Sequence, residues 1–209
     1  MGAAYLQQNK LEIALNEFTI ATQIDANHSP AYNGLGLVYA ALGEDAKADA
    51  NFKKSIQIQP KSSESQNNYG SFLCARKRYA ESILHFLEAV KNPLYPTPNL
   101  AYANAGICSV RNNDMQNAEI YLVKALQIEP LTHSAAYQLA DIQFKRGEAA
   151  FAKSTLQNTL IINPSAQALW LGYKIEQKLG DQDAQASYGL QLRKQYPNSE
   201  QTRLLLSGQ

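Results

Sequence analysis

The chain has 209 residues, 45% of them hydrophobic and 18% charged, a balance that fits a folded protein and not a disordered one. Its 19 basic and 18 acidic residues leave a formal charge of +1 with no block of like charge, so the electrostatic footprint of a sequence-independent nucleic-acid binder is missing. No apolar run reaches the roughly 18 to 20 residues that span a bilayer, and the opening MGAAYLQQNK lacks the basic, apolar and small-residue order of a signal peptide.

In chain order, the first regular feature is the set Gly2, Ala14 and Phe18, and the same types return at Gly36, Ala48 and Phe52, then at Gly70, Ser82 and Phe86. The period is 34. The unit from Ser29 holds it most fully, with Tyr32, Leu35, Gly36, Tyr39, Ala48, Phe52 and Pro60 at positions 4, 7, 8, 11, 20, 24 and 32. That is the tetratricopeptide (TPR) pattern of two antiparallel helices, A and B. Only Ser55 departs, standing where alanine is usual. The pattern is a packing rule: small residues at positions 8 and 20 let the two helices approach, and large apolar residues around them fill the remaining space. The next units place Gly106, Ala118 and Leu122, then Ala140, Ala152 and Leu156. A sixth runs from Trp170 at position 4 through Ala186 to Leu190. Its Gly180 and Pro197 fall one position early, which predicts a shifted or shortened A helix.

The expected fold is therefore all-α, a superhelical array of six TPR helix-turn-helix repeats in a single domain over 1–209. The repeats span about 1–28, 29–62, 63–98, 99–132, 133–166 and 167–197, and 198–208 forms a C-terminal capping helix. Because Gly2 already occupies position 8, the first repeat would begin six residues before Met1 and reads as truncated. NSEQTRLLLSG, Asn198 to Gly208, has the polar start, leucines and closing glycine of a helix that covers the last repeat. From Gly70 to Gly106 the step is 36, and the two extra residues lie in KNPLYPTPNLAY, where Pro93, Pro96 and Pro98 crowd together. Proline cannot donate an interior helix hydrogen bond and pushes its predecessor toward extended conformations. The third B helix is thus expected to end near Lys91 or Asn92, followed by a stiff, partly extended connector with Pro98 just before the next A helix.

Chemistry is scarce. His28, His85 and His133 stand in no metal or triad spacing and read as surface or rim residues. Gly34 to Gly36 spells GLG inside a helix with no strand before it, which argues against a phosphate loop and leaves no cofactor implied. Six repeats occupy the chain and leave no segment for a catalytic domain, so no enzyme is expected. Cys74 and Cys108 sit at positions 12 and 10 of neighbouring A helices and fit either a disulfide outside the cytosol or two buried thiols inside it. What remains is a surface. A helices of TPR arrays line a concave groove that holds a partner peptide or helix. Asn33, Leu37, Asn67, Asn68, Ser71, Asn104, Ile107 and Tyr137 fall on that face, where the amides could bond an extended guest and Leu37, Ile107 and Tyr137 offer apolar contact. The same residues also fit ordinary solvated helix faces. Repeats 2 to 5 lack the Lys and Asn pair with which chaperone-binding TPR domains grip a C-terminal carboxylate.

The irregular strings are more specific than the consensus. NNYGSFLC (67–74), NPLYPTP (92–98), AYANAGICS (101–109), LWLGYKI (169–175) and GDQDAQASYGLQLRKQYPNSE (180–200) together resemble the PilF/PilW family of type IV pilus biogenesis proteins over essentially the whole chain. The resemblance implies a six-TPR outer-membrane lipoprotein facing the periplasm and acting as a pilotin. Such a protein binds the secretin subunit of the pilus pore and promotes its localisation and multimerisation. The family's lipidated cysteine lies upstream of the repeats and this chain has no cysteine before Cys74, so membrane contact is expected only through an N-terminal anchor absent from the chain. A periplasmic setting favours a Cys74–Cys108 bridge. The alternative is a generic TPR adaptor or a secretion chaperone that binds another peptide.

Overall fold

The computed structural model describes residues 1–162 and 164–208, and all regular structure among them is helical. The helices run as A and B partners in chain order. They are α1 (Gly2–Gln7) and α2 (Leu11–Ile24), α3 (Ser29–Ala41) and α4 (Asp45–Ile58), α5 (Ser63–Ala75) and α6 (Tyr79–Ala89), α7 (Pro98–Arg111) and α8 (Met115–Ile128). They continue with α9 (His133–Lys145) and α10 (Ala149–Ile162), α11 (Ala166–Leu179) and α12 (Gln182–Gln195), and end with α13 (Glu200–Ser207). Two compact units divide the chain, one over Met1–Asp114 and one from Met115 onward, so α7 belongs to the first and α8 to the second.

Within each unit the packing follows the small-and-large rule. Ala14, Ala48, Ser82, Ala118 and Ala152 have no exposed surface, and Phe52, Phe86, Leu122 and Leu156 are buried beside them. A Cβ at Gly36 would lie 2.7 Å from the Phe52 ring, and one at Gly70 would lie 2.8 Å from the Phe86 ring and 3.1 Å from the Ser82 carbonyl oxygen. Each buried Phe or Leu contributes about 1.5 to 3 kcal/mol by leaving water, and at Phe52 and Phe86 the glycine opposite is what lets the ring reach that depth.

The two serines that break the alanine rule are each satisfied. Buried Ser55 has its hydroxyl 3.0 Å from the Ser29 carbonyl and 2.9 Å from Ser65 Oγ, while the Ser29 hydroxyl donates to the Ser55 carbonyl at 3.0 Å. Ser82 donates to the Gly70 carbonyl at 2.7 Å across the α5–α6 contact. A buried hydroxyl is tolerated where it finds a partner, and each of these ties an A helix to its B helix.

Turns between A and B helices use one left-handed residue. In repeats 1, 3 and 4 it is Asn9, Lys77 and Asn113, at φ of 57°, 61° and 57°, where repeats 2 and 5 use glycine. The third B helix ends at Ala89, slightly before Lys91. The connector then turns instead of extending: Leu94 N–H donates to Asn92 Oδ1 at 3.0 Å and Tyr95 N–H to the Asn92 carbonyl at 3.1 Å, an Asx turn that Pro93 can occupy without a lost donor. Pro98 opens α7 as its first residue, where the missing N–H costs nothing.

The sixth repeat bears out a shifted A helix and not a shortened one. Helix α11 has 14 residues and is not shortened. The turn also loses a residue, with only Gly180 and the cap Asp181 between α11 and α12, against Leu42, Gly43 and Glu44 between α3 and α4. The buried face of α11 lies at Ala168, Leu171, Gly172 and Ile175, and Trp170 is only half-buried. On α12, Leu190 is 60% exposed and Ala186 is exposed, while Tyr188, Gly189 and Leu192 face inward. Leu192, Tyr188 and Trp170 pack with Leu205 of α13, whose start is capped by the Ser199 hydroxyl accepting from the Thr202 N–H at 3.1 Å.

Candidate functional site

The first unit carries seven of the eight candidate residues, on α3, α5 and α7, and these A helices meet side by side. Two side-chain amide pairs cross between them. Asn68 Nδ2 donates to Asn33 Oδ1 at 3.3 Å, and Asn104 Nδ2 donates to Asn67 Oδ1 at 3.1 Å. An amide carries two N–H donors and two carbonyl lone pairs, so each pair keeps hydrogen-bonding capacity beyond the bond it makes. Asn33 is the deepest, at 5% exposure, whereas Asn67, Asn68 and Asn104 are half-buried. Leu37 is half-buried on the cluster of Phe52, Tyr69, Phe72 and Leu73. Ser71 is exposed and donates to the Asn67 carbonyl at 3.0 Å, and Ile107 is half-buried on α7. The face is thus neutral and rich in amides, suited to a main chain that presents its own N–H and C=O groups.

Cys74 of α5 and Cys108 of α7 are joined in a disulfide with Cα atoms 5.9 Å apart. It lies on the same two helices as the Asn67–Asn104 pair. At the start of α5 the connector and the helix border a depression of about 500 Å³ lined by Ser62, Asn67, Asn68, Tyr95 and Thr97 among others. Tyr95 is half-buried there, over the junction, while its neighbour Leu94 is 86% exposed.

Behind the face, the α4–α6 helices share a charge network. Tyr69 donates to Asp49 Oδ1 at 2.8 Å, and Asp49 also takes Arg78 at 2.6 Å and Lys53 at 2.6 Å. Burial, then the Asp49 carboxylate, pushes the Tyr69 phenol well above its ordinary range. Burial raises Asp49, but its bonds to Lys53, Arg78 and Tyr69 outweigh that and leave it below the usual carboxylate value. His85, read as a surface or rim residue, is half-buried, with its Nδ1 2.6 Å from Gln66 Oε1 and its ring centroid 4.6 Å from that of Tyr69. His28 is exposed, and His133 is half-buried with Nδ1 3.3 Å from Thr159 Oγ1.

Tyr137, the eighth candidate, belongs to the second unit. It packs against Ala140, Leu156 and Leu171, and burial with some help from Asp141 pushes its phenol above the ordinary value. It borders a depression of about 420 Å³ together with His133, Thr159 and Ser165. The neighbouring helix holds a cluster that sequence reasoning missed. Lys174 places its ammonium 5.6 Å from the Phe144 ring and 5.9 Å from the Trp170 ring. Its signal in the sequence is an aromatic and a lysine four apart on one helix, Trp170 and Lys174, which reads as an ordinary surface pair until Phe144 is brought alongside. Among the described residues no group of three His, Cys, Asp or Glu side chains is arranged to hold a metal.

Helix pairs of this build, with a peptide-suited A-helix face, define a TPR protein, and the tetratricopeptide repeat family model matches residues 29–62 and 101–130. The chain is 31% identical to the type IV pilus assembly protein PilF of Pseudomonas aeruginosa over 207 residues, covering 95% of this chain and 79% of that protein. Among solved structures, PilW, described as a widely conserved type IV pilus biogenesis factor, aligns at a TM-score of 0.84 and 32% identity, over 98% of this chain and 94% of PilW. Pseudomonas aeruginosa PilF aligns at 0.89 and 30% identity, over 100% and 94%. The chain belongs to the PilF/PilW family of type IV pilus biogenesis proteins.

Proposed function

We propose that the protein is a pilotin, a non-enzymatic scaffold that binds the secretin subunit of the type IV pilus pore and promotes its localisation and multimerisation. The observation that carries the reading is the neutral amide face of α3, α5 and α7, with its Asn33–Asn68 and Asn67–Asn104 pairs, in a chain of the PilF/PilW family. Paired amides hold their side chains in place before a guest arrives, which lowers the ordering cost of binding an extended segment. The working place of such a protein is the periplasmic side of the outer membrane, reached through a lipid anchor on an upstream cysteine, each buried CH₂ of which contributes about 0.8 kcal/mol. The Cys74–Cys108 disulfide suits that oxidising compartment.

The test is the double variant Asn67→Glu, Ser71→Glu, which puts two uncompensated charges on the face at half-buried and exposed positions. Secretin co-purification and the yield of secretin multimer are expected to fall at least about tenfold, equivalent to about 1.4 kcal/mol of binding. A variant with the parent's thermal melt and undiminished secretin multimer would show that the partner sits elsewhere.

A further inference from the structure

Positive charge gathers at one end of the second unit. The C-terminal end of α9 and the C-terminal half of α11 border a cavity of about 370 Å³ whose wall includes Asp141, Phe144, Lys145, Lys174 and Lys178. Three lysines thus stand against one aspartate. Lys145 takes Asp141 as its partner at 2.6 Å. Lys174 and Lys178 have no carboxylate within ion-pair distance among the described residues; other acidic groups on this part of the unit are engaged, Glu176 and Asp181 by Lys153 and Glu148 by Arg146.

Lys174 differs from an ordinary surface lysine. It is half-buried, and its ammonium lies over the Phe144 ring at 5.6 Å and over the Trp170 ring at 5.9 Å. Trp170 is itself held by stacking on Tyr173, with centroids 5.3 Å apart and planes 8° from parallel. Ring faces attract a cation without neutralising it. They also displace water from it, so a carboxylate arriving from the open side meets a charge less screened than one in bulk solvent. Part of the rotamer entropy of the lysine is already lost in the free protein, and a ligand does not have to supply it.

We propose that this cavity is a docking site for an acidic peptide segment. A side-chain or C-terminal carboxylate of the segment meets Lys174 and Lys178, and an adjacent apolar side chain lies against Phe144. Charge complementarity argues for this occupant: a protein whose overall charge is only +1 leaves two lysines without a carboxylate partner beside the half-buried Phe144 ring. The site differs in chemistry from the neutral amide face of the first unit, and it does not depend on the secretin being the partner there.

Trp170 is the sole tryptophan and its ring lies 5.9 Å from the Lys174 ammonium, so its fluorescence reports on a ligand that reaches that lysine. The probe is a blocked hexapeptide of glutamate and leucine, titrated beside a twin in which every glutamate is glutamine. The glutamate peptide is expected to change Trp170 emission saturably, at least about tenfold more tightly than the glutamine twin, and to weaken as salt is raised across the physiological range. The variant Lys174→Met with Lys178→Gln is expected to lose at least about tenfold in affinity, and Lys178→Gln alone, at an exposed position that folding does not need, at least about threefold. Equal binding of the two peptides, or binding unchanged in Lys178→Gln, overturns the proposal. So does a lysine-dependent emission change with phosphatidylglycerol vesicles and none with the peptide, which would make the surface a lipid contact. The peptides contain no secretin sequence, so this outcome is separate from that of the secretin test.

Discussion

At the scale of single residues, the glycines opposite phenylalanines set how closely the helices approach. A Cβ at Gly36 would meet the Phe52 ring at 2.7 Å, and Phe52 has no free surface into which it could retreat. Gly36→Ala is expected to destabilise the protein by about 1 to 3 kcal/mol despite the better helix propensity of alanine, measured as a lower urea midpoint at unchanged slope. A midpoint equal to or above the parent's would mean that the α3–α4 contact has slack. These positions were legible in the sequence because a small residue paired with a large one every 34 residues is what stacked helix pairs require. Asn33 was legible as a face residue but not in its depth, since its burial depends on the amide of Asn68 lying over it from the next repeat. Lys174 was missed for a related reason: its environment comes from Phe144 on another helix, and spacing along one helix carries no record of that neighbour.

Helix pairs, the next scale up, respond to pH through α5 and α6. Burial holds the His85 imidazole below its ordinary value of 6.5, with Glu81 and Glu88 pulling it up and Arg78 pushing it further down. A histidine that folding keeps neutral takes up its proton first in the unfolded chain. Its contribution is therefore complete above pH 6.5 and is lost as pH falls from there through the lower folded value. Thermal melts at pH 7 and pH 5 should show a larger fall in Tm for the parent than for His85→Gln. Parallel profiles would exclude a role for His85 in the acid limb. At this scale the sequence located the helices well because caps, prolines and apolar spacing are local signals. At the sixth repeat it pointed to a shifted A helix but misplaced the inward residues of α12, for a physical reason. The buried face of α11 is already displaced to Leu171 and Gly172, and with a turn one residue shorter than the α3–α4 turn after it, a fixed step assigns Leu190 to a core that Tyr188 packs against. The early Gly180 was the visible trace of that change. It fixed where the turn falls, while the side chains on either side decided which face turned inward.

Over the whole molecule, the long-range covalent tie is the disulfide, which closes a separation of 34 residues between α5 and α7 of the first unit. Chain entropy assigns a loop of that length about 3 to 4 kcal/mol, and measured effects of bridges range from roughly 0 to 5 kcal/mol. The double variant Cys74→Ser, Cys108→Ser is expected to lose about that much stability in urea unfolding monitored by helical circular dichroism. Coincident unfolding curves would mean that hydrogen bonds and burial alone hold the α5–α7 contact. The same bridge lies on the helices that carry the Asn67–Asn104 pair, so loss of the proposed secretin binding in this variant without loss of fold would place the bridge in service of the face. The shortened turn of the sixth repeat has a consequence of another kind, for how such a chain can grow. Repeat 2 has a repeat of its own register on each side, and a gene duplication of residues 29–62 would insert a unit whose two faces already match their new neighbours. The sixth repeat presents Tyr188, Leu192 and Trp170 to α13 in a register no other repeat uses, so a copied sixth repeat would meet a surface built for something else. Evolution can lengthen this array from within, but not by copying the repeat that α13 closes.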